Sequence, residues 1–239
     1  MTANALVAEL EKTTAIAMAS GKPLAERLRM IADQVRELSP EFTDAVEAFV
    51  AKLARAEAGG QAPQVGEAMP NFVLPDQHAR LVALDALLRE GPAVIAFLRG
   101  HWCPYCRLAT KAVVGIEPEA RQLGASFIAI TPDRRPFTST FQKETGAGFP
   151  VLTDTDNGYA LSLGLAVFLG EELIAALKDI GFDLAPSQGS NAWTLPIPAT
   201  FVLDRDGVIV ARHVDPDYRR RIEAEDVLAA ISKAAQAAP

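Results

Sequence analysis

The sequence predicts an α/β fold of three layers, a mixed central sheet between helices, with a helical extension in front of it. Three observations lead there. Continuous apolar runs at Ala93–Leu98 (AVIAFL), Ser126–Thr131 (SFIAIT) and Ala199–Leu203 (ATFVL) have the length and texture of strands buried on both faces. Helical patterns separate the earlier runs, as parallel crossovers require. The last run is followed at once by Asp204-Arg205-Asp206-Gly207 and a second strand pattern, which reads as an antiparallel hairpin.

Taken in order, residues 1–57 are rich in Ala, Leu and Glu at helical spacing and predict two or three helices. Leu24, Leu28, Ile31 and Val35 fall on one face; Pro23 suits a first turn, and Ser39-Pro40 stops that helix before another opens near Glu41. Nothing in these helices points to catalysis. AGGQAPQVGEAMP, residues 58–70, reads as a linker, so the division expected is a helical extension over 1–60 and an α/β domain over 61–239. Asn71–Leu74 predicts a short strand and Leu81–Leu88 a short helix or loop. After the Ala93–Leu98 strand, a helix runs from Pro104 to about Gly124. Phe137–Thr145 is helical, Pro150–Thr153 strand-like, and 158–192 a helix and then a loop. Val208–Val214 closes the hairpin and Asp226–Ala235 is a final helix.

Composition excludes some functions. The 239 residues carry 23 Lys and Arg against 30 Asp and Glu, a net charge of −7, which does not suit a nucleic-acid partner. The densest basic run, Arg219-Arg220-Arg221, precedes Glu223, Glu225 and Asp226 and reads as a solvated helix start. No run of 18 apolar residues spans a membrane. Glu9 and Glu11 interrupt any signal-peptide pattern, so the expected compartment is the cytoplasm.

The chain has two cysteines, both in Leu98–Arg107, LRGHWCPYCR. In a cytoplasmic protein a static disulfide is unusual, and a closed zinc site needs four ligands, whereas His78 and His213 lie far from the pair. No metal and no organic cofactor is expected. With a strand ending near Leu98 and Pro104 at the first helical position, Cys103 falls at the N-cap and Cys106 within the first turn. Positions i and i+3 are about 5–6 Å apart between Cβ atoms, and a disulfide needs about 3.5–4.5 Å, so a small adjustment lets the pair cycle between dithiol and disulfide. The helix N-terminus favours thiolate. By this reading Cys103 is the exposed nucleophile and Cys106 the buried resolving thiol. Arg99, His101 and Arg107 add charge nearby; the plainer readings are surface charge for the two arginines and a rim position for His101. Trp102 shields the pair, and Trp193 reads as core filler.

Trp-Cys-Pro-Tyr-Cys on a strand-to-helix turn resembles the thioredoxin fold, and Pro-Tyr between the cysteines is similar to glutaredoxins. Pro198, before ATFVL, matches the cis-proline that such folds pack against the cysteine pair, with Pro196 as its neighbouring alternative. The blocks VGEAMPNFVLPD, GPAVIAFLRGHWCPYC, GASFIAITPD, FPVLTD and PATFVLDRDGVIV resemble the alkyl hydroperoxide reductase/thiol-specific antioxidant group, the peroxiredoxin-like proteins. The resemblance covers much of residues 65–232. It implies a thioredoxin-like domain that reduces peroxides through Cys103 and Cys106, is recycled by a thioredoxin- or glutathione-type reductant, and often dimerises. The N-terminal helices are then available to a second subunit. The family's Pro-x-x-x-Thr/Ser-x-x-Cys pattern is not met. Ending it on Cys106 puts Cys103 at the hydroxyl position and Arg99 at the proline; ending it on Cys103 puts Gly100 and Ala96 there. The family's later arginine has no counterpart beyond Arg212, which reads as a hairpin surface residue. Two alternatives therefore stand beside peroxide reduction: thiol–disulfide exchange, and a non-catalytic redox-sensing module.

Overall fold

A computed structural model describes residues 3–236. Three helices come first, α1 (Ala3–Ala19), α2 (Leu24–Leu38) and α3 (Pro40–Arg55). Strands β1 (Val73–Pro75) and β2 (Leu81–Ala83) pair as a small ribbon and lead into α4 (Leu84–Leu88). The α/β core follows as β3 (Ala93–Phe97), α5 (Pro104–Gln122), β4 (Ser126–Thr131), α6 (Arg135–Thr145) and β5 (Val151–Thr153). A 3-10 turn at Thr155–Asn157 opens the connection to the hairpin, which contains α7 (Gly158–Ser162), β6 (Ala166–Phe168), α8 (Glu171–Asp179), α9 (Ala185–Gln188) and β7 (Thr194–Pro196). The chain ends with β8 (Ala199–Leu203), β9 (Ile209–Val214) and α10 (Ala224–Gln236).

The five-stranded sheet has the order β5-β4-β3-β8-β9. β3, β4 and β5 are parallel, while β8 and β9 run antiparallel, so the sheet is mixed as expected. Strand side chains alternate between two faces, and both faces are dry. Val94, Phe127, Ala129, Val151 and Val202 enter one core with α5 and α10. Ala93, Ile95, Phe97, Ile128, Ile130 and Phe201 enter the other, beneath the β1–β2 ribbon and α4. This two-sided burial is why AVIAF and SFIAIT show no polar alternation. At the hairpin, Asp204 Oδ1 accepts the N–H groups of Asp206 and Val208, both at 2.9 Å, and Gly207 takes φ +78° to close the turn. The 158–192 stretch holds more order than its composition predicts. β6 pairs with β7, whose Thr194–Pro196 lies too far along the chain for a local pattern to reveal.

The N-terminal helices share the first of these cores. Leu24, Leu28 and Ile31 of α2 are buried, as their spacing predicts, together with Val46, Phe49 and Leu53 of α3. They join one apolar cluster with Tyr105, Cys106 and Leu108 of α5 and Leu173 and Leu177 of α8. Part of the helical surface expected to be available to a second subunit is thus used within the chain, while Val7 and Ile16 of α1 stay exposed. Ser39 ends α2 through its N–H to Val35 O at 2.8 Å and also precedes Pro40 at the start of α3. The first turn of α2 is capped from across the molecule: Glu223 accepts the Leu24 and Ala25 N–H groups at 2.9 and 2.8 Å, a carboxylate at the favourable end of the helix dipole.

The basic run departs from its reading. Arg219-Arg220-Arg221 does not open a helix, since α10 begins at Ala224. Arg219 turns inward and pairs with Asp217 and with Glu47 of α3, each at 2.7 Å. Arg220 stays exposed as the charge suggests, while Arg219 is drawn in by neighbouring Asp217 and by Glu47, distant in sequence.

Because α2 and α5 share one core, loss of a buried α2 side chain unsettles the whole protein. Ile31→Ala, at a fully buried position, is expected to lower stability by about 2–5 kcal/mol. Urea unfolding should keep a single transition when read by circular dichroism and by Trp fluorescence. A separate early transition of the helices contradicts the shared core.

Candidate active site

The site is built where β3 ends. Leu98, still bonded through its N–H to Ile130 O at 2.8 Å, is followed by Arg99 and Gly100, and Cys103 is the N-cap of α5 with Pro104 in its first turn. Gly100 has φ +150°. A Cβ there would collide with the Trp102 indole and press on Asp133 Oδ1 at 3.1 Å, so glycine lets the loop fold back tightly. Cys103 and Cys106 are both thiols. Both are also buried, with 1% and 0% of their surface exposed. The expected exposed first cysteine is absent. Its access to solvent is a cavity of about 450 Å³ that Cys103 lines and Cys106 does not.

Two guanidinium groups serve the pair. Arg99 is buried, with its guanidinium 3.8 Å above the Tyr218 ring and 5.1 Å from that of Trp102. Its backbone N–H donates to Cys106 Sγ at 3.4 Å. Arg221 Nη2 lies 3.6 Å from the same sulfur, and its Nη1 donates to the Tyr218 and Arg220 carbonyls. Among the described residues neither arginine has a carboxylate partner within ion-pair distance.

This arrangement polarises the dithiol. Burial pushes the Cys103 thiol up, and a negative Cys106 pushes it further. Burial opposes the Cys106 thiolate as well. There the Cys103 thiol donating to it, the Arg221 charge and the Arg99 N–H and charge outweigh that cost and bring it down. These contacts favour the thiolate on Cys106, whereas helix position alone favoured Cys103. The sequence-based argument considered only the N-terminus of α5; charge arriving from a segment 115 residues away decides the matter.

The other expected residues divide. Trp102 lines the cavity and packs on Phe182 with ring centroids 4.6 Å apart. Its buried indole N–H has no acceptor among the described residues. His101 is a rim group: its ring lies 3.1 Å from buried Asp133 and 4.6 Å from the Phe137 ring. Arg107 lines the same cavity as Cys103 and pairs with Glu11 of α1 at 2.7 and 2.9 Å. Pro198, not Pro196, lies at the β8 start beside Leu98 and Arg221 around a small void; Pro196 belongs to β7. The cis peptide expected at Pro198 is not found, since the described residues contain no cis bond. Trp193 is core filler, stacked under Lys178. Arg212 reaches the Gly59 and Ala62 carbonyls at 3.4 Å and stays outside the site.

Arg221, Tyr218 and Asp133 were missed. Asp133 had a signal, for it follows the end of a parallel strand beside β3, where sites on α/β sheets gather. Arg221 and Tyr218 had none, because their placement depends on the path of the chain after β9. No group of three or more metal-ligating side chains is found among the described residues.

If Arg221 holds the thiolate, Arg221→Met raises the pH at which the reduced protein first gains thiolate absorbance. Since a lowered pKa means the charge forms as pH rises through it, the wild type should show thiolate well below the range of a free cysteine, near 8.5, and the variant closer to it. Coincident titration curves remove Arg221 from the site.

The geometry can be set beside known proteins. A family model described as Redoxin matches residues 64–231. A protein named thiol-disulfide oxidoreductase ResA, from Bacillus thuringiensis, is 23% identical over 161 residues, 67% of this chain and 75% of that protein; its namesake from Bacillus anthracis gives the same values. Peroxidoxin BcpB from Mycobacterium tuberculosis superimposes with a TM-score of 0.53 at 21% identity, covering 71% of this chain and 97% of that one. Reduced Prx3 from Vibrio vulnificus, solved with hydrogen peroxide, gives 0.56 at 16% identity over 71% and 99%. The two structures show the fold as thioredoxin-like. The family model, which spans well over half of the chain and includes both cysteines, shows more: this protein belongs to the Redoxin family and is a thiol-based oxidoreductase.

Proposed function

We propose that the Cys103/Cys106 dithiol reduces a peroxide bond in a molecule entering the cavity, and is restored by an external thiol of the thioredoxin or glutathione type. The observation that supports it is one buried pair of thiols, with the Arg99 N–H and the Arg221 guanidinium on Cys106 Sγ and a cavity in front of Cys103. No metal or organic cofactor enters the scheme.

The chemistry follows from that polarity. As Cys103 Sγ attacks the distal peroxide oxygen, its proton passes along the hydrogen bond to the Cys106 thiolate. The O–O bond breaks. The departing alkoxide, whose charge Arg99 stabilises, takes the proton back from Cys106 and leaves as an alcohol. Cys103 is now a sulfenic acid, and Cys106 is again a thiolate within the same turn. It attacks the Cys103 sulfur, the disulfide forms, and hydroxide leaves as water with a proton from solvent. One peroxide has been reduced by two electrons and the dithiol oxidised by two. Reducing compartments such as the cytoplasm suit this resting dithiol.

A specific observation favours thiol–disulfide exchange as the second reading. In the register that ends the family pattern on Cys106, the hydroxyl that orients peroxide is replaced by Cys103 itself, and the curated relatives bear the name of disulfide oxidoreductases.

Stopped-flow mixing of the reduced protein with hydrogen peroxide or cumene hydroperoxide, read by Trp fluorescence, separates the two. Peroxide reduction predicts oxidation at least 100-fold faster than a free thiol. Cys103→Ser should abolish it, and Cys106→Ser, which removes the base, should slow it and stop what oxidation occurs at the sulfenic acid. A rate equal to that of a free thiol, with rapid reaction of an aryl disulfide, transfers the function to exchange. In either case Arg221→Met should shift the disulfide toward a more negative reduction potential, since it removes a charge that favours only the reduced form; redox titration against glutathione measures it.

A further inference from the structure

The cavity in front of Cys103 is only partly made by the segment common to the family. One side is Trp102, Tyr105 and Tyr218 of the α/β domain, with Leu177, Ile180 and Phe182 around the end of α8. The other is Val7, Leu10, Glu11 and Thr14 of α1, Val35 of α2 and Phe42 of α3. Those last six residues precede the family-matched stretch, which begins at residue 64. The helices form a roof, and the roof is fastened. Arg107 holds Glu11 through two hydrogen bonds, Arg219 holds Glu47 at 2.7 Å, and Glu223 caps α2.

Thiol–disulfide exchange requires the attacking sulfur to reach the target sulfur directly, with access setting the rate. A protein reductant carries its thiol on a folded surface and must lay that surface around the disulfide. Here Cys103 is 1% exposed, beneath three helices. A cavity of about 450 Å³ falls within the roughly 300–1,000 Å³ of small-molecule sites and admits no protein loop. Its walls are chiefly aliphatic and aromatic; Glu11, Arg107 and Glu144 are occupied with one another, and the remaining cation, Arg99, lies against the Tyr218 and Trp102 rings beside the sulfurs rather than at the roof.

We infer that α1–α3 restrict recycling of this dithiol to a low-molecular-weight thiol with an apolar body, bound in the cavity, and exclude thioredoxin-type protein reductants. The inference rests on the dithiol reading of Cys103 and Cys106 and narrows the reductant it uses. The bound thiolate attacks Cys103 Sγ, the Cys103–Cys106 bond breaks, and Cys106 leaves as the thiolate held by Arg221. A second thiolate attacks the mixed disulfide at the outer sulfur, releasing the symmetric small disulfide and Cys103, which takes a proton. Two small thiols are oxidised and one protein disulfide is reduced.

The test starts from oxidised protein in which mass and thiol counting show the Cys103–Cys106 disulfide. If that disulfide does not form, the dithiol reading itself fails before any reductant is added. The disulfide protein is then mixed with benzyl mercaptan, with glutathione, or with thioredoxin kept reduced by its reductase and NADPH. Benzyl mercaptan should reduce it at least tenfold faster than glutathione, compared per thiolate, and thioredoxin should give no rate above background. Glu11→Arg, which sets two cations against each other and loosens α1, should gain thioredoxin-dependent reduction by tenfold or more while circular dichroism shows the fold retained. Val35→Trp, which fills the cavity, should slow benzyl mercaptan tenfold. Reduction of the wild type by thioredoxin at the rate of an exposed disulfide overturns the inference. So does a Val35→Trp protein that reacts with benzyl mercaptan as fast as the wild type.

Discussion

A negative charge inside the protein is the constraint on which the rest of the site depends. Burying an ion costs several kcal/mol even after relaxation. A unit charge pair about 4 Å apart returns about 4 kcal/mol at an effective dielectric of about 20. One cation therefore roughly offsets the burial of a thiolate, and two tip the balance. Cys106 accepts the Arg99 N–H and meets the Arg221 guanidinium, while for Cys103 burial and the neighbouring Cys106 outweigh the same two charges and favour the thiol. The division of labour between two chemically identical thiols follows from where those charges are anchored.

The anchors come from one short segment. Between β9 and α10, four side chains point to four different parts of the molecule. Tyr218 supports the Arg99 guanidinium, Arg219 grips α3 through Glu47, Arg221 meets Cys106, and Glu223 caps α2. The elements that cover the dithiol and the charge that ionises it are thus held by the same five or six residues. Misplacement of this segment affects the access path and the thiolate together, which makes roof and reactivity one structural unit.

How far the sequence revealed this differs by kind of interaction. Apolar runs of the right length marked β3, β4 and β8, because burial on both faces leaves its pattern in consecutive residues. The position of Cys103 at the start of α5 was legible too, since Pro104 and a preceding strand are local signals. The ionisation of Cys106 was not legible, for it depends on Arg221, whose neighbours in sequence suggest solvent. Nor was the roof, since amphipathic helices announce only that one face is covered and not by what. Leu24, Leu28 and Ile31 were identified as a buried face, but nothing local tells that this face meets the helix bearing the cysteines. The strand β6 was hidden for the same reason: its partner β7 lies about thirty residues onward.

The two redox states meet unequal surroundings. In the dithiol, the Cys106 charge offsets Arg221 and Arg99, both buried or half-buried and, among the described residues, without a carboxylate within ion-pair distance. In the disulfide that charge is gone, and the two guanidinium charges near the sulfurs lose the anion that offset them. Repulsion and lost ion pairing then raise the energy of the oxidised form alone, which makes the disulfide easy to reduce. A strongly held disulfide needs a strong reductant brought by a specific protein; an easily reduced one does not. The electrostatics that ionise Cys106 and the helices that close off Cys103 therefore agree with each other. Each favours a site that a modest thiol can reset once it is small enough to enter.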